Sequence, residues 1–169
     1  MPRMRRENRQ VKSGKMIREI LEECQVARIG TSDRAGMFIV PVNFGYDFSD
    51  HDGKWELKLY FHGAMEGRKA EAFKANPAVA FEMDCRHQII RKEEACGCSF
   101  AYRSIMGSGT IRLLTENDEK LLGLRRLMEH MAPGSERWFS PEIVERTAVY
   151  CVEAAEFSGK ENPYPFCRH

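Results

Sequence analysis

The sequence predicts a mainly β protein with a few short flanking helices, in which an antiparallel sheet closes fully or partly into a barrel. About six segments have strand character, most of them are joined as hairpins, and no internal repeat or linker divides the chain. A length of 169 residues suits one domain. We expect residues 1–169 to form that domain, with residues 1–10 flexible or in contact with a partner and residues 158–169 forming a C-terminal tail.

Composition and charge fit a globular protein without a strongly charged surface. Apolar residues make up 43% and charged residues 30% of the chain, and the net charge is only +1. This balance gives no general reason to expect nucleic acid or a membrane as a partner. The basic residues 1–6 are not followed by the apolar run of a signal peptide, and the sequence contains no apolar stretch of membrane-spanning length. We therefore expect a cytoplasmic protein.

The first third of the chain predicts a helix followed by a hairpin. Residues 13–23 carry apolar side chains at helical spacing, with Ser13 as a plausible N-cap. Residues 25–31 and 37–46 have strand character and are joined by a polar turn. Pro41 cannot donate a hydrogen bond to a sheet, so it marks a sheet edge, a bulge or a place where the backbone turns toward a ligand.

The middle of the chain predicts a strand that leads into a helix. Residues 55–62 alternate between apolar and polar side chains, which sends His62 to the face opposite Phe61. Residues 64–75 have a helical pattern that Pro77 ends, because a residue before proline avoids the helical region. The other predicted elements are strands at residues 78–83, 100–114 (with a bulge or bend at 107–109) and 148–157, and a helix at residues 117–131.

The cysteines favour reduced thiols over disulfides. The chain contains six cysteines at irregular spacing, and a domain of this size does not need covalent cross-links. Residues 84–99 are rich in charge and cysteine and have no readable strand register. Cys85, His87, Cys96 and Cys98 could form a zinc site, but a C-x-C spacing departs from the usual C-x-x-C. We assign no metal and keep a zinc-stabilised loop as an alternative.

The strongest chemical signal lies at residues 59–69, where a predicted strand passes into a helix. Free backbone amides at the start of a helix attract an anion, and Arg68 and Lys69 add two cations there. Neither the dinucleotide motif G-x-G-x-x-G nor the P-loop motif fits the segment. These residues alone leave two interpretations open, a phosphate site and a solvated Arg-Lys pair.

Three stretches in order carry a resemblance to a known family. They are PVNFGY at residues 41–46, LYFHGAMEGRK at residues 59–69 and YRSIMGSG at residues 102–109. These stretches resemble the signatures of the pyridoxamine 5'-phosphate oxidase-like split barrels that bind FMN, and the nearest branch is the nitroimidazole-resistance (Nim) type. The likeness runs from about residue 11 to residue 157. It implies an antiparallel split β-barrel with flanking helices and a homodimer that holds FMN at its interface.

The resemblance also implies roles for individual residues. Those expected beside the flavin ring and the ribityl chain are Val40, Pro41, Val42, His62, Gly63 and Ala64. Those expected on the flavin phosphate are Arg68 and Lys69. Those expected to complete the pocket, from a neighbouring strand or from the partner subunit, are Arg103, Ser104 and Ile105. Lys160 is a further candidate for contact with the cofactor, and an exposed lysine in the tail is the alternative.

The function implied by the resemblance is that of an FMN-dependent oxidoreductase acting on a small molecule, such as a nitroaromatic compound, with NADH or NADPH as a candidate electron donor. His62 is the candidate catalytic residue, because a histidine near a flavin can supply a proton; the alternative is a histidine that is merely hydrogen-bonded. Two other functions stay open. One is flavin or haem binding without turnover. The other is pyridoxamine 5'-phosphate oxidation, although residues 161–169 do not match the usual C-terminal sequence of those oxidases. Split barrels also bind the deazaflavin F420, so the fold does not choose the ligand.

Overall fold

The computed structural model describes residues 5–135 and 138–165, and these residues form one eight-stranded antiparallel sheet with four α-helices. The strands are β1 (Gln10–Val11), β2 (Ala27–Asp33), β3 (Gly36–Val42), β4 (Gly45–His51), β5 (Lys54–Gly63), β6 (Ala78–Ile90), β7 (Ser99–Leu113) and β8 (Ala148–Asn162). The helices are α1 (Gly14–Glu23), α2 (Arg68–Ala75), α3 (Asn117–Met131) and α4 (Pro141–Arg146). No helix in this part of the chain is long and apolar enough to span a membrane.

The sheet is open at one position, which makes the barrel a split one. The strand order is β3-β2-β6-β7-β8-β5-β4, and β1 pairs with β8. The two ends of this order, β3 and β4, follow each other in the chain with only Asn43 and Phe44 between them, yet they do not pair with each other. The predicted split barrel with flanking helices is therefore confirmed. Pro41 lies on the edge strand β3, as its missing N–H requires.

Apolar side chains from both the sheet and α1 fill the interior of the barrel. Ile17 and Leu21 on one face of α1 are fully buried, and they pack with Ile29, Phe44 and Phe61 from the strands. A second, smaller cluster lies between α3, α4 and the outer side of β5 and β8. On β5, Phe61 is buried and His62 is exposed, which confirms the predicted alternation.

Two predicted elements differ from the structure because tertiary contacts override the local pattern. The strand predicted at 37–46 is two strands, because the Asn43 side chain donates a hydrogen bond to the Gln25 carbonyl oxygen (3.0 Å) and Phe44 turns into the core. The strand predicted at 78–83 continues to Ile90 through an irregularity after Cys85. The segment 64–67 is not helical, so α2 begins four residues later than predicted.

The ends of the chain also differ from the expectation. β8 continues through Asn162, so residues 158–162 are strand and not tail. Gln10 and Val11 pair with Lys160 and Gly159, which places the end of the expected flexible segment 1–10 in the sheet. Residues 1–4 and 166–169 of the expected terminal segments lie outside the described residues.

Candidate functional site

The junction between β5 and α2 brings a lysine over a glycine. Gly63 ends β5, and a Cβ atom added to it would lie 2.8 Å from Lys69 Nζ and 2.9 Å from Lys69 Cε. Lys69 is therefore folded back against the end of the strand. No carboxylate of the described residues lies within ion-pair distance of its ammonium group. The junction thus holds a positive charge that the described residues do not neutralise.

The start of α2 has free backbone donors. Gly67 is its N-cap, with φ of 105°, a backbone conformation that favours glycine, and no side chain caps the helix. The first amides of a helix have no partner within it, so they are open to a ligand or to water. Together with Arg68 and Lys69, they form a local anion-attracting surface.

Arg68 is held in place by the β2–β3 hairpin. Its Nε and one Nη2 hydrogen donate to the two carboxylate oxygens of Asp33, at 2.6 and 3.1 Å. Its guanidinium carbon lies 4.0 Å from the centroid of the Phe38 ring. The arginine beside it lowers the pKa of the Asp33 carboxyl, with a smaller opposing effect from desolvation. Two contacts thus fix the guanidinium plane, while Nη1 makes no hydrogen bond with another described residue.

The edge strand β3 provides an unpaired backbone edge next to this junction. β3 pairs only with β2, so its outer backbone groups have no strand partner among the described residues. The four steps from Phe38, beneath Arg68, to Val42 span about 14 Å along the strand. Val40 is partly buried against the core, Pro41 is exposed and Val42 is buried. An elongated ligand with an anionic end can lie along this edge.

His62 and Ala64 flank Gly63, and both are exposed. His62 lies in the last part of β5, which pairs with β8 but no longer with β4, and its register partner is Val149 of β8. The imidazole makes no hydrogen bond or ion pair with another described residue. Both ring nitrogens are therefore open to a ligand or to water.

The third predicted stretch lies elsewhere in the same chain. Arg103 is only 9% exposed and donates to Glu161 (2.7 Å) and Glu19 (3.2 Å), while Ile105 is fully buried in the core. Ser104 is 7% exposed and pairs through its backbone with Lys160. Ile111, seven residues further along β7, lies beside α2. Ser104 and Ile111 are therefore about 23 Å apart along the strand.

Lys160 belongs with the third stretch. It lies in β8, where its Nζ is 5.9 Å from the centroid of the Tyr102 ring. A cleft of about 410 Å³ lies beside these strands, and Tyr102, Arg103 and Tyr164 are among the residues that line it. Within one chain, the structure does not bring Lys160 or the third stretch to the β5–α2 junction.

The sequence did not reveal every residue at the junction. Asp33 and Phe38 hold Arg68, but they lie 35 and 30 positions away in the chain, and no local pattern connects them.

Thr31, the register partner of Phe38, is 3% exposed, and its hydroxyl has no hydrogen-bond partner. A cleft of about 690 Å³ opens on the other side of α2, between that helix and the end of β7.

The zinc alternative lacks its ligand set. No group of three or more metal-binding side chains comes together within residues 5–135 and 138–165. His87 instead contacts Asp84 (2.8 Å) and stacks on Phe100, whereas Cys98 contacts the backbone of Lys92. The four residues considered for zinc therefore make separate contacts.

The fold and the junction define a protein of the split-barrel class with a cationic strand-to-helix site. Residues 14–161 match the sequence profile of the family described as pyridoxamine 5'-phosphate oxidase, and the chain belongs to this family. This result confirms the family resemblance found in the sequence. A search of the curated proteins gave no significant match.

Solved structures with the same fold include a Nim-type protein and two proteins whose names include flavin or haem. A candidate 5-nitroimidazole antibiotic resistance protein from Bacteroides thetaiotaomicron has a TM-score of 0.74 and 24% identity, over 90% of this chain and 86% of that chain. The flavocytochrome Anf3 from Azotobacter vinelandii has a TM-score of 0.76 and 21% identity, over 96% and 73%. The FAD and haem binding protein from Mycobacterium smegmatis has a TM-score of 0.76 and 19% identity, over 94% and 76%. At these identities the similarity shows the fold.

Proposed function

We propose that the chain is an FMN-binding flavoprotein whose phosphate site is formed by Lys69, Arg68 and the first amides of α2. The observation that carries this proposal is the Lys69 ammonium group, which lies over Gly63 with no carboxylate partner in the described chain. The match to the pyridoxamine 5'-phosphate oxidase family and the names of the flavocytochrome and the FAD and haem binding protein support it.

Asp33 and Phe38 are positioning residues in this proposal. Asp33 occupies only one edge of the Arg68 fork, and the Phe38 ring supports the guanidinium plane from below. The free Nη1 group can then donate to a phosphate oxygen without a further loss of side-chain entropy, because the arginine is already ordered. Lys69 adds a second positive charge beside it.

The flavin ring would lie along the edge of β3, against Val40, Pro41 and Val42, with Gly63 and Ala64 beside the ribityl chain. Free backbone groups on that edge suit the polar edge of an isoalloxazine ring. The length of β3 from Phe38 to Val42 suits a ligand that has its phosphate at one end and its ring at the other.

A homodimer would complete the pocket. Exposed methionine and isoleucine side chains occupy one face of the sheet beside the proposed ring site: Met37, Ile39 and Met106 are 87%, 66% and 53% exposed. Clustered apolar exposure of this kind is typical of an interface. The partner subunit would supply Arg103, Ser104 and Lys160, which one chain cannot bring to its own α2.

The proposed activity is the reduction of a small molecule, such as a nitroaromatic compound, with NADH or NADPH as the electron donor. A bound flavin would supply the hydride or electron transfer. His62, exposed and without a partner among the described residues, would hold or deliver the proton. The protein's own task is to orient the cofactor and to limit access to it.

The absorption spectrum of the purified protein tests the cofactor assignment. We expect a yellow protein, or a colourless one that takes up added FMN and shows a flavin spectrum after gel filtration. A colourless preparation that also fails to take up FMN would contradict the proposal. The double variant Arg68→Met/Lys69→Met should fold and lose affinity for FMN, since each charged hydrogen bond to the phosphate contributes about 1.5 to 3 kcal/mol.

Activity assays separate this proposal from two alternatives. The names of the flavocytochrome and of the FAD and haem binding protein favour, as a second candidate, a protein that binds flavin or haem without turnover. FMN-loaded protein that NADH and NADPH fail to reduce would support that candidate. Formation of pyridoxal 5'-phosphate from the pyridoxamine compound would instead support the oxidase activity for which the family is named. In the His62→Gln variant, we expect FMN binding to remain and substrate reduction to fall.

A further inference from the structure

Two cysteine side chains meet where the end of α1 packs against β6. Cys24 is the C-cap residue of α1 and is 1% exposed. Cys85 lies in β6, partly buried, and packs against the core cluster that contains Cys24. Each thiol shifts the pKa of the other, upward at Cys24 and downward at Cys85, because the two side chains lie beside each other. The pair lies away from the β5–α2 junction, and Cys85 is the register partner of Arg103 in β7.

The neighbouring residues clamp the same two segments together. The Arg86 guanidinium donates two hydrogen bonds to the Glu23 carboxylate, one of them at 2.6 Å from Nε. The residues before Cys24 and after Cys85 are therefore joined by an ion pair. This ion pair holds together the two segments that carry the cysteines.

The backbone of β6 is irregular beside Cys85. The pairing of β6 with β7 shifts register between Cys85 and Gln88, and Arg86 has φ of 56°. A bulge interrupts the regular ladder and redirects side chains locally. Cys85 can therefore move toward Cys24 at a point where few ladder hydrogen bonds constrain it.

The surroundings make the two sulfur atoms chemically different. The neighbouring Cys24 thiol lowers the pKa of Cys85, and Arg103 adds a smaller effect in the same direction, against burial and Glu23. Contact with Cys85, together with burial, raises the pKa of Cys24. Cys85 is thus the more acidic and the more accessible of the two thiols, and Cys24 is the less acidic thiol beside it. This is the arrangement of an attacking and a resolving cysteine.

We propose that Cys24 and Cys85 form a reversible intramolecular disulfide when the protein reacts with a hydroperoxide. The Cys85 thiolate attacks a peroxide oxygen, the O–O bond breaks, and the leaving oxygen takes up a proton and departs as water or an alcohol. The sulfur of Cys24 then loses its proton and attacks the sulfenic sulfur of Cys85. The S–S bond forms and the S–O bond breaks, with release of water. Both sulfurs are oxidised, the peroxide is reduced, and a dithiol reverses the reaction.

The other described cysteines lack this arrangement. Cys96 and Cys98 are exposed, and their sulfurs contact Glu94 and Lys92. Cys151 is buried among apolar side chains, and burial raises the pKa of its thiol to about 11. The structure therefore predicts that peroxide links one particular pair.

Peptide mapping of the full-length protein tests the proposal without a variant. The reduced protein is treated with a small excess of hydrogen peroxide, free thiols are blocked, and the protein is digested without reductant. We expect a cross-linked peptide that joins the segments around Cys24 and Cys85, a loss of two hydrogens in mass, and full reversal by dithiothreitol. Closing a loop of about 60 residues should raise the thermal midpoint by on the order of 10 °C.

Matched variants sharpen the result. Cys24→Ser should leave Cys85 as a sulfenic acid that dimedone traps, whereas Cys85→Ser should abolish both products. The control Cys96→Ser/Cys98→Ser should form the cross-link as the wild type does. A wild-type map in which the peptide joining Cys24 and Cys85 is missing, or in which only Cys96 and Cys98 are linked, would overturn the proposal.

Discussion

Replacing Lys69 with methionine gives the sharpest test of the phosphate site. Methionine keeps a chain of similar length over Gly63 and removes only the charge. If the ammonium donates one charged hydrogen bond to the FMN phosphate, its loss costs about 1.5 to 3 kcal/mol. This range corresponds to a rise in the dissociation constant of roughly 10- to 150-fold.

Riboflavin separates a phosphate contact from a general defect, because it carries the same ring and ribityl chain without the phosphate. The assay is a titration of flavin fluorescence with the wild type and with Lys69→Met, first using FMN and then riboflavin. We expect the variant to lose affinity for FMN and to bind riboflavin as the wild type does. Equal weakening for both ligands, or an unchanged affinity for FMN, would refute the reasoning.

Lys74→Met provides the matched control, because Lys74 is an exposed lysine in the last turn of the same helix. Its loss changes the net charge by the same amount but removes no group near Gly63. We expect only a small effect on FMN binding, which high salt should abolish because exposed charges are screened. A control effect as large as that of Lys69→Met would mean that overall charge, and not a local contact, governs affinity.

Three further predictions concern stability. Lys120 is 6% exposed, and its Nζ donates to the carbonyl oxygens of Val144 (3.0 Å) and Glu145 (2.9 Å). The variant Lys120→Met should therefore lower the free energy of unfolding by about 3 kcal/mol and the thermal midpoint in calorimetry by about 6 to 12 °C. An unchanged midpoint would contradict this prediction. Thr31→Val removes a buried hydroxyl that has no partner and should raise the midpoint by about 2 to 4 °C, whereas Thr31→Ser should lower it. Arg86 lowers the pKa of the Glu23 carboxyl in the folded protein below its usual value of 4.5. The ion pair should therefore stabilise the fold fully above pH 4.5 and lose its effect as the pH falls through the lowered pKa of the folded state. The difference in thermal midpoint between the wild type and Glu23→Gln should accordingly shrink between about pH 6 and pH 3.

The parts of the fold that were predicted correctly depend on local pattern. The helix predicted at residues 117–131 has those bounds in the structure, because its apolar spacing is regular along its whole length. The bulge predicted at Gly107–Gly109 appears as a register shift between Ser108 and Gly109. Pro41 lies on an edge strand, which is one of the three kinds of place that its missing N–H allowed. In each case a few neighbouring residues carry the whole signal.

The parts that were not predicted depend on contacts between distant segments. β3 ends at Val42 because the Asn43 side chain reaches the Gln25 carbonyl, a contact that no local alternation records. The short helix α4 was missed, although Ser140 followed by Pro141 is a recognisable start, because only six residues follow the cap. β6 was predicted too short, since its second half is polar and exposed.

The same division applies to the candidate site. Gly63 and Lys69 could be identified because a strand and a helix follow each other closely in the chain. The ion pair that orders Arg68 could not, because Asp33 is 35 positions away and an aspartate at a hairpin turn is common. The sequence thus located the two cations. The structure added that Arg68 is ordered by Asp33, whereas Lys69 has no carboxylate partner among the described residues.

The geometry of β7 links the proposed cofactor site to the proposed dimer. Ser104 lies about 23 Å along the strand from Ile111, which contacts the α2 side of the fold. FMN held at Lys69 and lying along β3 spans only about 14 Å of strand in its own subunit. If Ser104 contacts the phosphate end of a flavin held at Lys69, it does so from the partner subunit. Cofactor binding and dimerisation would then each stabilise the other, because a ligand that contacts both chains binds the dimer more tightly than the monomer.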